Sequence, residues 1–293
     1  VGAALGLLRV SSWVKAVDPT ATDEFAVACL YYAGASISLL SAAFGWLTLS
    51  TAARQPQVVK STGNVIHKVQ RGLKIVFGDL VILLAVVGSF AARGDASTIT
   101  VFLSLWASEY TRNELGKDAA AGAKAGGMAA GICQLFALFA ALPAGWVADR
   151  IGGVKALAVA GAMAAISYGA LSTVSNPVSP SGLGVGALVG VSEMGVVISC
   201  QSLITKRAPP SKRGALAGAF SIGAAFGILF IGLAGGASYD SLGPGAPFAV
   251  VACMNGAVGL FATLVWYLKG QDTDSASEDP EGVVMVTADE LRD

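Results

Sequence analysis

The chain has 293 residues and a formal net charge of zero; 54% of its residues are apolar, only 13% are charged, and its mean hydropathy is +0.67. An ordinary soluble domain carries about 25% charged residues, so a typical soluble fold is excluded. Eight of the 19 acidic residues fall within 272–293, which leaves the rest of the chain basic, and a basic loop surface beside a bilayer points to membrane orientation rather than to nucleic acid.

The apolar run 1–8 is too short to span a bilayer and lacks the basic start and small-residue cleavage site of a signal peptide, so the chain reads as beginning inside a larger protein. Residues 1–50 then form the remnant of an amino-terminal bundle: the end of one helix, a loop and one full span at 26–50. Residues 51–77 carry Arg54, Lys60, His67, Lys68, Arg71 and Lys74 without a single acid, and are expected to be a basic cytoplasmic linker.

Six further apolar runs between Gly, Pro and Ser breaks predict spans at 78–110, 126–147, 154–174, 183–204, 214–237 and 246–268. Together they make a six-helix bundle over 78–268. The stretches 25–53, 125–148, 156–192 and 214–239 hold no charged residue at all, and a hydrocarbon core takes about 20 helical residues to cross. Lys206, Arg207, Lys212 and Arg213 crowd one loop, whereas the turns 175–182 and 241–247 have no basic residue. By the positive-inside rule, the linker, the 149–155 loop and the 205–213 loop are cytoplasmic. The number of crossings between Lys74 and Tyr110 must then be odd. This argues against reading Arg93-Gly94-Asp95 as a tight turn between two short spans or as an exposed adhesion tripeptide. After Lys269 the chain is acidic and poor in apolar residues, and 269–293 is expected to be a disordered cytoplasmic tail; its end, 283–291, has a short partner-binding element as the alternative reading.

Cys29, Cys133, Cys200 and Cys253 lie in apolar spans without metal-type spacing, so neither a disulfide nor a metal site is implied, and no cofactor motif is present. Glycines recur four apart at 127/131, 186/190, 214/218, 223/227 and 232/236. That spacing puts each pair on one helix face, where backbones can approach closely in lipid.

The strongest local pattern is Gly145-Trp146-Val147-Ala148-Asp149-Arg150-Ile151-Gly152-Gly153-Val154-Lys155, placed where one span ends and the next begins. Two helices joined so tightly need glycine at the turn, and Asp149 sits close to the start of the next helix, where a carboxylate is favoured by the helix dipole. Here the sequence resembles the major facilitator superfamily, whose loop reads G-x-L-A-D-R-x-G-R-R/K. Gly145, Ala148, Asp149, Arg150 and Gly152 match in register, Gly153 and Val154 replace two basic residues, and Lys155 follows one place late. The resemblance covers about 26–268. It is closest to the fungal and protist general-substrate branch through Phe77-Gly78-Asp79, the 88–93 and 131–138 segments, the 214–221 segment and Pro244-Gly245-Ala246-Pro247-Phe248.

The resemblance implies an all-α polytopic bundle, the carboxy-terminal six-helix half of a major facilitator fold plus one preceding helix. The partner bundle would be the amino-terminal half of the same protein. It also implies that Asp149 closes the cytoplasmic side against the start of the 214–237 helix, through Lys212, Arg213 or its free amides. Such a fold rocks two bundles about a midplane site. Arg93, Asp95 and Glu193 are the deepest charges, each costing about 2.5–3.5 kcal/mol if isolated, and they are expected to form the charged part of that site. Glycine at 94 would loosen the helix there. Gln134 and Asn255 are the accompanying polar candidates, with interhelical hydrogen bonding as the simpler role.

The expected function is secondary transport of a small solute across a lipid bilayer by alternating access, with a proton as the candidate coupling ion. The alternative is a transporter-like receptor or assembly subunit that no longer transports. No nucleophile and base pair, His cluster or nucleotide-binding loop suggests an enzyme.

Overall fold

A computed structural model describes residues 76–208 and 213–269, the helical stretch 38–47 and the isolated positions 28, 32, 35 and 36. Within the segment 1–50, a short apolar helix α1 (Ser38–Leu47) is described. The rest of that bundle, almost all of the linker, Lys212 and the tail beyond Lys269 lie outside the described residues.

Six long apolar helices follow: α2 (Leu80–Asn113), α3 (Ala119–Ile151), α4 (Gly153–Ser172), α5 (Pro180–Arg207), α6 (Arg213–Leu242) and α7 (Ala246–Lys269). No strand occurs among the described residues. The chain is an all-α polytopic membrane bundle, and each of the six carboxy-terminal spans has its helix.

Polar side chains set the helix starts. Asp79 caps α2 by accepting from the Val81 amide at 2.8 Å, Asp118 caps α3 through Ala121 at 2.8 Å, and Ser179 caps α5 through Gly182 at 3.1 Å with Pro180 at the first position. The α3–α4 junction is a single residue: Gly152 has φ 85°, a left-handed-side conformation that a side chain would strain. That requirement explains the glycine of the loop motif.

Arg93-Gly94-Asp95 lies inside α2, so one helix crosses between Lys74 and Asn113, as the charge bias required, and the tight-turn reading is overturned. Gly94 does not loosen the helix. Regular α geometry runs through it, and the irregularity comes later, as a π turn at Ile99–Leu103; α6 carries a second at Ile231–Gly235. The two π turns are neighbours: Gly235 packs on Phe102, and Gly94 packs on Ile231. Such turns leave a backbone carbonyl without its usual i+4 partner and cluster at functional sites.

Helix α2 is central, touching α3, α5, α6 and α7, while α4 packs along α7 and α3 along α5. Leu84, Ile99, Leu157, Tyr168, Leu171, Val189, Val196, Phe248 and Val251 fill the interior. Leu138, Phe139, Leu142, Ile166, Leu188, Phe226, Leu233 and Leu260 stand exposed on the outside of the bundle, an apolar exterior suited to lipid or to a further helix. Helices α3 and α6 are the least covered by the bundle.

The glycine pairs divide. Gly190 meets the Cys133 carbonyl of α3, while Gly223 and Gly227 meet Val86 and the Phe90 carbonyl of α2. In contrast, Gly127, Gly186, Gly214, Gly218, Gly232 and Gly236 face open space in this bundle, so spacing four apart did not identify which glycines are contact points.

Candidate functional site

Halfway along the helices, polar groups from five of the six long helices converge. Asn255 of α7 is fully buried and donates Nδ2 to Asp95 Oδ1 of α2 at 2.8 Å and to its own Val251 carbonyl at 3.2 Å. At the same level, Gln134 of α3 donates Nε2 to Glu193 Oε2 of α5 at 3.4 Å, a long bond. Ser167 of α4 and Ser192 of α5 share a hydrogen bond of 2.7 Å, and Tyr168 is fully buried beside them.

The expected trio of charges is therefore split. Asp95 is 0% exposed and turns into the bundle toward Asn255, whereas Arg93, two residues away on the same helix, is exposed. The Arg93 charge is felt by Glu193, and Glu193 also accepts from Gln134. Among the described residues, neither Arg93, Asp95 nor Glu193 makes an ion pair within 4.0 Å. Two groupings result: Glu193 bonded to Gln134 and within reach of the exposed Arg93 charge, and Asp95 bonded to Asn255, both fully buried. Gln134 and Asn255 do bridge helices.

Tyr168, Ser167 and Ser192 were not singled out from sequence. They lie in apolar runs where Ser and Tyr are ordinary, and only packing shows them at the same level.

The end of the bundle that carries the loop motif is held by charges. Asp149 pairs with Lys206 at 2.9 Å. Among the described residues, the partner of Asp149 belongs to the end of α5 and not to the start of α6: Arg213, one of the expected partners, instead donates Nε to the Ala208 carbonyl at 3.3 Å, and Lys212 lies outside the described residues. Lys206 reaches Asp149 because α3 and α5 pack along each other and end together. Both side chains are largely exposed, at 71% for Asp149 and 46% for Lys206, so the pair contributes at most about 1 kcal/mol. Arg150 lies over the Trp146 ring at 4.6 Å and Lys155 over Trp266 at 5.7 Å, combinations suited to a membrane interface. Gly145 has open space around it.

A more enclosed network at the same end was missed. Asp79 accepts from Arg207 Nε at 3.2 Å and from Lys269 Nζ at 3.3 Å while capping α2. One carboxylate thus ties the start of α2 to the ends of α5 and α7. Phe77-Gly78-Asp79 carries a family resemblance, but nothing in sequence spacing links residues 79, 207 and 269. At the opposite end, Tyr239 donates its hydroxyl to Glu109 Oε2 at 2.5 Å and stacks on Phe102, joining α2 and α6.

This chain is 26% identical over 216 residues to magnetosome protein MamZ of Magnetospirillum gryphiswaldense, an alignment covering 73% of this chain and 32% of that protein. Against magnetosome protein MamH of Paramagnetospirillum magneticum it is 26% identical over 204 residues, covering 68% of this chain and 46% of MamH. The chain thus spans between a third and a half of the length of these relatives. The family model for the Major Facilitator Superfamily matches residues 2–221 and 114–288. With six apolar helices, a loop motif at the α3–α4 junction and a match along most of its length, the chain belongs to the major facilitator superfamily.

Proposed function

We propose that the protein is a secondary transporter that moves a small solute by alternating access, with the solute meeting Arg93, Glu193 and Gln134. Membership of the superfamily supports a transporter-type function. The observation that carries the finer reading is the placement of Arg93. It is an exposed cation in the middle of an apolar helix, beside the Glu193 carboxylate, where a position facing lipid would be costly. The second bundle is proposed to be the amino-terminal half of the same protein. Helices α3 and α6 support this, being the least covered and presenting Gly127, Gly214 and Gly218 to open space. Within the superfamily, the general-substrate branch is the proposed affiliation, and proton coupling the proposed drive.

The test is solute uptake into vesicles by the natural protein, screening chemically diverse solutes with and without a pH gradient. Arg93→Ala and Glu193→Gln are each expected to reduce uptake roughly tenfold or more, as follows from losing a charge-assisted hydrogen bond worth about 1.5–3 kcal/mol. Asp149→Asn should lower uptake less, since its pair with Lys206 is exposed. Normal uptake in both midplane variants would remove them from the solute route. Failure of the parent to move any solute would favour a receptor or assembly subunit.

For orientation, we propose that the linker and the tail lie on the cytoplasmic side. Asp79, Asp149, Lys206, Arg207 and Lys269 gather at the end that the linker enters. Cysteines placed at Ser61 and Asn113 are expected to label from opposite sides of the membrane; labelling from one side would contradict a single crossing by α2.

A further inference from the structure

The hydroxyls of α2 fall into two sets. Ser89, Thr98, Thr100 and Thr111 each donate back to a backbone carbonyl of their own helix at 2.7–2.9 Å, the usual way of hiding a hydroxyl in an apolar span. Ser97, Ser104 and Ser108 make no hydrogen bond among the described residues, and none of the three is buried. With the exposed Arg93 and Thr100 they recur at three- and four-residue spacing, which gathers them along one side of the helix. From Arg93 toward Asn113 that side is polar; toward the linker it continues as Leu83, Val87 and Phe90. A cation and unbonded hydroxyls are costly against hydrocarbon, so this half of α2 faces water or a polar solute.

At the head of the polar line stand two opposite charges that do not touch. Arg93 makes no ion pair within 4.0 Å among the described residues, yet its charge is felt by Glu193 of α5. Gln134 occupies Glu193 Oε2. Oε1 accepts no hydrogen bond among the described residues, and it is not one of the sealed orphan atoms of the interior. There is also room beside the two helices that carry these groups. Gly127 lies two turns before Gln134 on the same face of α3, and Gly186 two turns before Glu193 on the same face of α5; nothing stands within 4 Å of where a Cβ would lie at either position. Both glycines lie toward the end of the bundle to which the polar line of α2 runs.

We infer that the solute is a small zwitterion of the amino-acid type. Its carboxylate takes the paired N–H donors of the Arg93 guanidinium, a geometry that guanidinium and carboxylate share, and its ammonium donates to Glu193 Oε1. Charge complementarity decides the class. A simple anion that reached Arg93 would meet the Glu193 carboxylate, a simple cation that reached Glu193 would meet Arg93, and an uncharged polyol would leave both charges without a counter-charge. A zwitterion answers both and adds no net charge to an apolar span. This deepens the transport reading by naming the substrate class, and the statement that the bound molecule is carried rests on that reading.

The test is binding to the purified natural protein in detergent, measured by equilibrium dialysis without any transport assay. The probes are the standard amino acids one by one, propionate, ethylamine and glucose, and then the deaminated acid and the decarboxylated amine of each amino acid that binds. At least one neutral amino acid is expected to bind about tenfold or more tightly than its acid, its amine or glucose, the factor for one charge-assisted hydrogen bond. Glu193→Gln should weaken that amino acid while improving the acid relative to it; Arg93→Gln should do the reverse, favouring the amine. Opposite shifts in preference are not produced by a merely structural role, and the ranking of probes by the parent requires no variant to fold. The inference is overturned if no amino acid binds, if propionate, ethylamine or glucose binds as well as any amino acid, or if both variants weaken all probes equally. Vesicle uptake separates the two readings. An amino acid that binds with this selectivity but is not carried leaves the site standing and removes the transport reading; uptake of another solute with no amino acid bound does the opposite.

Discussion

Asp79→Ala is expected to lower the stability of the bundle by about 2–3 kcal/mol, combining about 1 kcal/mol for a lost N-cap with the loss of two charge-assisted hydrogen bonds, discounted for partial exposure. The Asp79 side chain is 25% exposed, and those of Arg207 and Lys269 are 28% and 32% exposed. Removing the carboxylate also leaves these two cations near one another without their shared anion. Thermal unfolding of the natural protein in detergent, with and without the substitution, checks the magnitude. Asp79→Asn should be less severe, because the amide oxygen can still cap α2.

The same carboxyl provides a pH signature. Burial pushes Asp79 up, but the Val81 amide, Arg207 and Lys269 together outweigh it and hold the group below its ordinary value of 3.8. A folded-state value below the unfolded one means that the unfolded chain binds the proton first. The stabilisation is therefore present above pH 3.8 and is lost as pH falls through the lower, folded value. The difference between parent and Asp79→Ala is expected to shrink on acidification below that range. A difference that stays constant down to strongly acid pH would mean that the ion pairs contribute little and that the cap alone matters.

Gly190→Val is expected to prevent α3 and α5 from packing, which would appear as loss of folded protein or as a fall in stability of several kcal/mol. At position 190 even a single Cβ would overlap the carbonyl of Cys133, and the Ala137 nitrogen of α3 lies 3.2 Å from it. Both obstacles are backbone, which cannot rotate away like a side chain, so relief requires moving the helices apart. Overpacking ordinarily costs about 1–3 kcal/mol, more where nothing can yield. The Gln134 bond to Glu193 crosses this same helix pair, so separation also breaks that grouping. The control is Gly186→Ala, one turn earlier on α5, where nothing stands within 4 Å. There, alanine should be neutral or stabilising, because it is better than glycine in a helix by about 1 kcal/mol. Equal behaviour of the two variants in a thermal assay would show that helix propensity, not close approach, governs these glycines.

These expectations separate what could be read along the chain from what could not. Apolar run length and the Lys/Arg bias determined the six spans and the uninterrupted crossing of α2, because each span must bury its own backbone hydrogen bonds in lipid whatever its neighbours do. The loop motif was equally legible: a one-residue junction at Gly152 leaves a local requirement for glycine. The identity of the deep polar residues Arg93, Asp95, Glu193, Gln134 and Asn255 was visible too, since polar groups stand out in an apolar run.

Their partners were not. Arg93 and Asp95 share a tripeptide, yet helical rotation sends one outward and the other into the core, and which face is which depends on how α2 sits against α5, α6 and α7. Asp149 found Lys206 rather than Arg213 because α3 and α5 end side by side, a matter of helix packing that charge content cannot express. The same holds for Asp79 with Arg207 and Lys269, and for Tyr168 beside Asp95. Those groups are far apart in sequence and meet only because the helices return to the same level. The sequence by itself determined the class of molecule, the helices and the supply of polar groups; tertiary structure alone decided which helix faces meet, and hence which charges are paired, exposed or buried without a partner.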